Sequence, residues 1–131
     1  MSSLYETEPV GFREQPRFLN AVLAVETSRE PLQIMHRLLA IERELGRQRT
    51  FRNAPRTLDL DLLLLDDVVL ATPALTLPHP RVHERAFVLI PLAEIAPNTV
   101  HPVLMQPIAT LLAALPDSAG IVQWALPCWA T

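Results

Sequence analysis

At 131 residues the chain is long enough for one domain with a genuine core, though with little to spare. Half of its residues are hydrophobic and 19% are charged, which excludes global disorder, and the apolar runs at 62–65 and 86–93 are too short to cross a bilayer. A formal net charge of −3 argues against the broad positive surface of a nucleic-acid binder.

The first residues offer neither a basic n-region nor an apolar h-region, so no secretory signal is expected. Cys128 is the sole cysteine; no internal disulfide is possible, and a cytoplasmic location is the expectation. Residues 3–8 read as a short strand ending at Pro9-Val10-Gly11. Residues 18–27 read as a longer one, with Leu19, Ala21, Leu23 and Val25 on one face. Its other face carries Phe18, Asn20, Val22 and Ala24, so both faces are expected to be largely buried. Pro31 suits the first turn of a helix and Gly46 its stop; Ile34, Leu38, Ile41 and Leu45 recur at helical spacing and would face the sheet.

A loop with four arginines and no acid, residues 47–56, comes next. Residues 58–65 are expected to form a third strand, with 68–70 continuing it after a turn at Asp66-Asp67. Residues 85–95 read as helical despite Pro91, and residues 107–115 as a last short helix. Interspersed strands and helices point to an α+β sandwich in a single domain, 1–131. Trp124 and Trp129 lie in a tail with no functional signal.

Chemistry concentrates in Arg52-Asn53-Ala54-Pro55-Arg56-Thr57-Leu58-Asp59-Leu60-Asp61-Leu62-Leu63. On a strand, side chains two apart share a face at a spacing of roughly 6.5–7 Å. Two carboxylates so placed can share a pair of Mg²⁺ ions roughly 3.5–4 Å apart, an arrangement suited to displacement at phosphorus. Aspartate is a hard oxygen ligand, and an arginine fork upstream suits phosphate. The plainer reading is an edge strand with a wet acidic face. It is weakened because Leu63 and Leu65 follow on the aspartates' side. His79, His83 and His101 have no distinctive metal-ligand spacing.

These twelve residues resemble the motif of 6-hydroxymethyl-7,8-dihydropterin pyrophosphokinases: a basic residue, then x-Gly/Ala-Pro-Arg-x-x-Asp-aliphatic-Asp and two aliphatics. Ser3-Leu4-Tyr5-Glu6-Thr7 with Pro9-Val10-Gly11, and Gln15-Pro16 with Phe18-Leu19-Asn20-Ala21, resemble two of the family's strands. Leu77-Pro78-His79-Pro80, Arg85-Ala86-Phe87-Val88-Leu89 and Pro91-Leu92-Ala93-Glu94-Ile95-Ala96-Pro97 resemble its later half.

The resemblance implies a ferredoxin-like two-layer sandwich and transfer of diphosphate from ATP to the pterin alcohol, with AMP leaving, in folate biosynthesis. It implies that Asp59 and Asp61 hold two Mg²⁺ ions. Arg47, Arg49 and Arg56 would neutralise phosphate charge from a catalytic loop. Thr76, His79 and Arg85 would contact the nucleotide. Phe18 and Phe87 would sandwich the pterin ring, Asn20 would bond its edge, and Thr7 and Val10 would line the pocket through the backbone.

Each role has a plainer counterpart: a turn histidine, core aromatics, and for Glu42, which matches an acidic family position, a solvated residue near Arg47. The family begins with a strand, a Gly-Ser-Asn stretch and a helix that would precede Ser2. Two readings are open: the sequence starts at an internal methionine of a family monomer, or the element is missing and the exposed strand edges allow pairing with another copy. The loop from Arg47 to Arg56 looks one residue short, with Asn53 where an aromatic often sits. The alternative function is a non-catalytic binder of pterin or nucleotide. A small RNA-binding sandwich is the third class weighed, and it is weak because the strands offer only Tyr5 and Phe18 for stacking.

Overall fold

The computed structural model describes residues 1–7, 18–46, 59–115 and 121–125. The chain falls into two compact units, Met1–Glu26 with Pro80–Thr131, and Thr27–His79.

The first unit is built on a three-stranded antiparallel sheet. Strand β1 (Leu4–Thr7) lies at its centre, between β2 (Phe18–Asn20) and β5 (Ile121–Ala125). Tyr5 stands opposite Asn20 and Thr7 opposite Phe18 on one side. On the other side Tyr5 pairs with Gln123, after an irregularity between Leu4 and Tyr5. Helix α2 (Ala86–Ile95) packs on β1 and β2, and α3 (Ile108–Ala113) packs on α2.

The sequence of α2 is apolar nearly all round, which suits a helix covered on several sides. Pro91 sits inside it, buried, and removes the backbone bond that would run to the Phe87 carbonyl. Pro107 precedes α3, where a fixed φ and a missing N–H fit a helix start. Val82, from a 3₁₀ turn at Val82–Glu84, joins Leu89, Leu92, Ile108 and Leu111 in the buried core. Each such aliphatic side chain contributes about 1.5–3 kcal/mol by leaving water.

A buried histidine organises the chain just ahead of α3. His101 accepts at Nδ1 from the backbone N–H groups of Val103 (3.2 Å) and Leu104 (3.0 Å). Its ring meets His83 edge-on at 6.2 Å between centroids. Desolvation, and secondarily the neighbouring His83, hold its pKa below the ordinary imidazole value.

The second unit contains α1 (Pro31–Gly46) and a small hairpin of β3 (Leu70–Ala71) and β4 (Thr76–Leu77). Before α1, the Glu30 N–H is held by Gln33 Oε1 at 3.1 Å, half of a capping box. Within the hairpin, Thr72 Oγ1 donates to the Leu75 carbonyl at 2.9 Å and accepts from the Leu75 N–H at 3.0 Å. Leu77 is buried, and the Leu77–Pro78 peptide is cis.

Three sequence expectations need correction. The strand expected over 18–27 stops at Asn20, and its burial is less than expected: Leu19, Leu23 and Val25 on one face are 51%, 65% and 71% exposed, while on the other Asn20 and Val22 are half-buried and Ala24 is exposed. Beyond Asn20 the described residues supply no second ladder, only a clasp in which Ser2 N–H bonds the Val22 carbonyl and Val22 N–H bonds Ser2 Oγ. The strand expected over 58–65 is absent from its described part, 59–65, and the expected continuation survives only as β3 after the Asp66-Asp67 turn. Alternating or apolar sequence makes a strand only where a neighbour completes the hydrogen bonds. In α1, Ile34, Leu38 and Ile41 are half-buried as their spacing implies, but Leu45 is exposed near the helix end.

Candidate functional site

Asp59 and Asp61 are both exposed, and Leu60 between them is half-buried. The alternation expected of the pair therefore holds locally without a β-ladder. A side chain bonds here instead: Glu42, on the fourth turn of α1, accepts the Leu60 N–H at Oε1 (2.5 Å). The acid is the last half-buried residue described on the helix, and it bonds the N–H of the residue that separates the two aspartates. Further along, the His79 N–H donates to the Leu63 carbonyl at 2.8 Å, which ties the segment after the aspartates to the exit of β4.

Among the described residues, no group of three or more His, Cys, Asp or Glu is placed to hold a metal ion. A cation at Asp59 and Asp61 would take two protein oxygens and complete its shell from water or phosphate. That sparse, all-oxygen donor set fits Mg²⁺, which dehydrates reluctantly and binds through one or two carboxylates plus substrate phosphates.

Thr76 is exposed in β4, and His79 is half-buried two residues after Leu77. They belong to the same unit as the aspartates. In the other unit, Thr7 and Phe18 face one another in the β1–β2 register, and Asn20 stands half-buried opposite Tyr5. Arg85 precedes α2 and places its guanidinium carbon 5.6 Å from the centre of the Phe87 ring, a cation–π contact. Val10, Arg47, Arg49 and Arg56 lie outside the described residues.

Sequence reasoning left Glu42 between two readings, because an acid on a helix is as often solvated as not. Its bond to the Leu60 N–H assigns it a place beside the aspartates.

A family profile described as 7,8-dihydro-6-hydroxymethylpterin-pyrophosphokinase (HPPK) matches residues 1–97. The chain belongs to that family. Among individual proteins it is 50% identical over 95 residues to the 2-amino-4-hydroxy-6-hydroxymethyldihydropteridine pyrophosphokinase of Bacillus subtilis, covering 72% of this chain and 57% of that protein. It is 49% identical over 98 residues to the enzyme of the same name in Pseudomonas aeruginosa, 75% of this chain and 60% of that one. The folic acid synthesis protein fol1 of Schizosaccharomyces pombe is 44% identical over 121 residues, covering 92% of this chain but 16% of that much longer protein. The chain thus spans somewhat over half of its bacterial HPPK relatives. No helix among the described residues is long and apolar enough to cross a membrane.

Proposed function

We propose that this chain transfers diphosphate from ATP to 6-hydroxymethyl-7,8-dihydropterin, giving the pterin diphosphate and AMP in folate biosynthesis. The reading takes residues 1–131 as one pyrophosphokinase domain with a ferredoxin-like frame, working in the cytoplasm. The observation that carries it is the exposed Asp59/Asp61 pair set around a peptide held by Glu42, in a chain of the HPPK family.

In this reading Asp59 and Asp61 hold two Mg²⁺ ions, which when bound neutralise and orient the polyphosphate. Arg47, Arg49 and Arg56 bring guanidinium forks to the phosphate oxygens, where bidentate bonding offsets negative charge. Thr76, His79 and Arg85 hold the nucleotide. Phe18 and Phe87 stack on the two faces of the pterin, Asn20 satisfies donors and acceptors on its edge, and Thr7 and Val10 line that pocket through their backbone.

The pterin hydroxymethyl oxygen attacks the β-phosphorus. The bond from that phosphorus to the α,β-bridging oxygen breaks, AMP leaves, and the hydroxyl proton passes to solvent. Positioning and charge neutralisation are the main requirements, with little covalent help from the protein.

AMP release from ATP measured with pterin and Mg²⁺ together, and with each omitted, tests this. AMP formed only when both are present is the expected result. AMP absent from a folded sample that still binds pterin would replace the reading with that of a non-catalytic binder.

A further inference from the structure

Helix α2 carries Phe87 in its first turn and Glu94 in its last. Seven residues apart, they fall on nearly the same face of the helix. The Glu94 carboxylate lies against the N-terminal end of β1. It accepts the Ser3 N–H at Oε1 (2.6 Å), the Ser3 hydroxyl at Oε2 (2.5 Å) and the Tyr5 hydroxyl at Oε1 (3.1 Å).

Ser3 is fully buried and also accepts from Gln123 Nε2 on β5 at 3.1 Å. Ser2, equally buried, donates its hydroxyl to the Ser3 carbonyl and clasps Val22 beyond β2. One carboxylate therefore joins α2 to the N-terminal end of β1, and through Ser3 and Ser2 to β5 and the chain after β2. Partial desolvation pushes the Glu94 carboxyl up, but the bonds from Ser3 and Tyr5 and the nearby amino terminus outweigh this and hold it below its ordinary value. The bonded form is the carboxylate.

From this anchor, β1 runs about 13 Å to Thr7, which stands opposite Phe18, while α2 runs about 10 Å to Phe87. We infer that Glu94 is a positioning residue for the pterin: by fixing α2 against β1 it sets how far the start of α2, which carries Phe87, stands from the β1–β2 pair whose register holds Phe18 and Asn20. A stacked ring needs that distance held closely, since stacking weakens as the faces separate. The inference rests on the proposed pterin pocket and adds to it a residue that never touches the ligand.

The test is direct pterin binding, by fluorescence titration with 6-hydroxymethylpterin, alongside nucleotide binding by a non-hydrolysable ATP analogue. Glu94→Gln is the main variant. Ser3→Ala, which removes the hydroxyl bond to Glu94 together with the one from Gln123, is the second should Glu94→Gln fold poorly by circular dichroism. Both variants are expected to bind pterin about tenfold more weakly, with nucleotide affinity within about twofold of the parent. A merely structural role would lower the active fraction and leave the pterin dissociation constant of the folded fraction unchanged. That outcome overturns the inference. If the unaltered chain binds no pterin, the pocket reading falls and this inference with it. If it binds pterin but releases no AMP, only the proposed reaction falls, and the comparison of variants still decides the role of Glu94.

Discussion

The two aspartates differ from the surrounding leucines in being exposed, so their loss is felt by ligands and hardly by the fold. Asp59→Ala and Asp61→Ala are each expected to lower pterin-dependent AMP release by about a thousandfold or more, the scale set by several kcal/mol of lost charge stabilisation. Their far-UV circular dichroism and melting temperature should match the parent. Substantial Mg²⁺-dependent turnover in either variant would remove the pair from the site. Glu42→Ala takes away the acceptor for the Leu60 N–H, and is expected to raise the Mg²⁺ concentration for half-maximal activity about tenfold. Glu42→Gln keeps an oxygen at that place and should recover most of the loss; an unchanged Mg²⁺ dependence in the alanine variant would show that the bond does not steady the aspartates. The exposure of the D-x-D pair was legible in its alternation with leucines, which sends Leu60 inward and the two carboxylates outward. Glu42 was not, since nothing local to a helix reveals that a distant peptide needs an acceptor.

At the scale of elements, the helices were legible nearly to their ends: Pro31 and Gly46 bound α1, α2 spans Pro91, and α3 starts after Pro107. Helical bonds are made within the segment, so local sequence suffices. Strands depend on neighbours, and the errors fall there. Residues 21–27 and 59–65 have strand-like sequences but no ladder among the described residues, whereas β5 arises in a tail that gave no signal. The turn at His101 yields a pH prediction. Its Nδ1 accepts two backbone N–H groups only when unprotonated, and its folded pKa lies below the unfolded value of about 6.5. The unfolded chain therefore takes up a proton first, and stability is lost as pH falls from about 6.5 through the folded pKa. His101→Asn retains an acceptor that does not titrate. The drop in urea midpoint between pH 7.5 and pH 5 should be smaller in that variant than in the parent; equal drops would show that His101 contributes nothing to the pH dependence.

For the whole molecule, family membership was legible because several motifs recur in order along the chain, and the profile match over residues 1–97 agrees. The placing of site residues is less complete, since Val10, Arg47, Arg49 and Arg56 lie outside the described residues. The proposed chemistry differs from that of an ordinary kinase in one respect, the phosphorus attacked, and labelled ATP separates the two. With ATP carrying ³²P at the β position, pterin and Mg²⁺, the account predicts label in the pterin product and unlabelled AMP. Label remaining in ADP, with a pterin monophosphate formed, would contradict it.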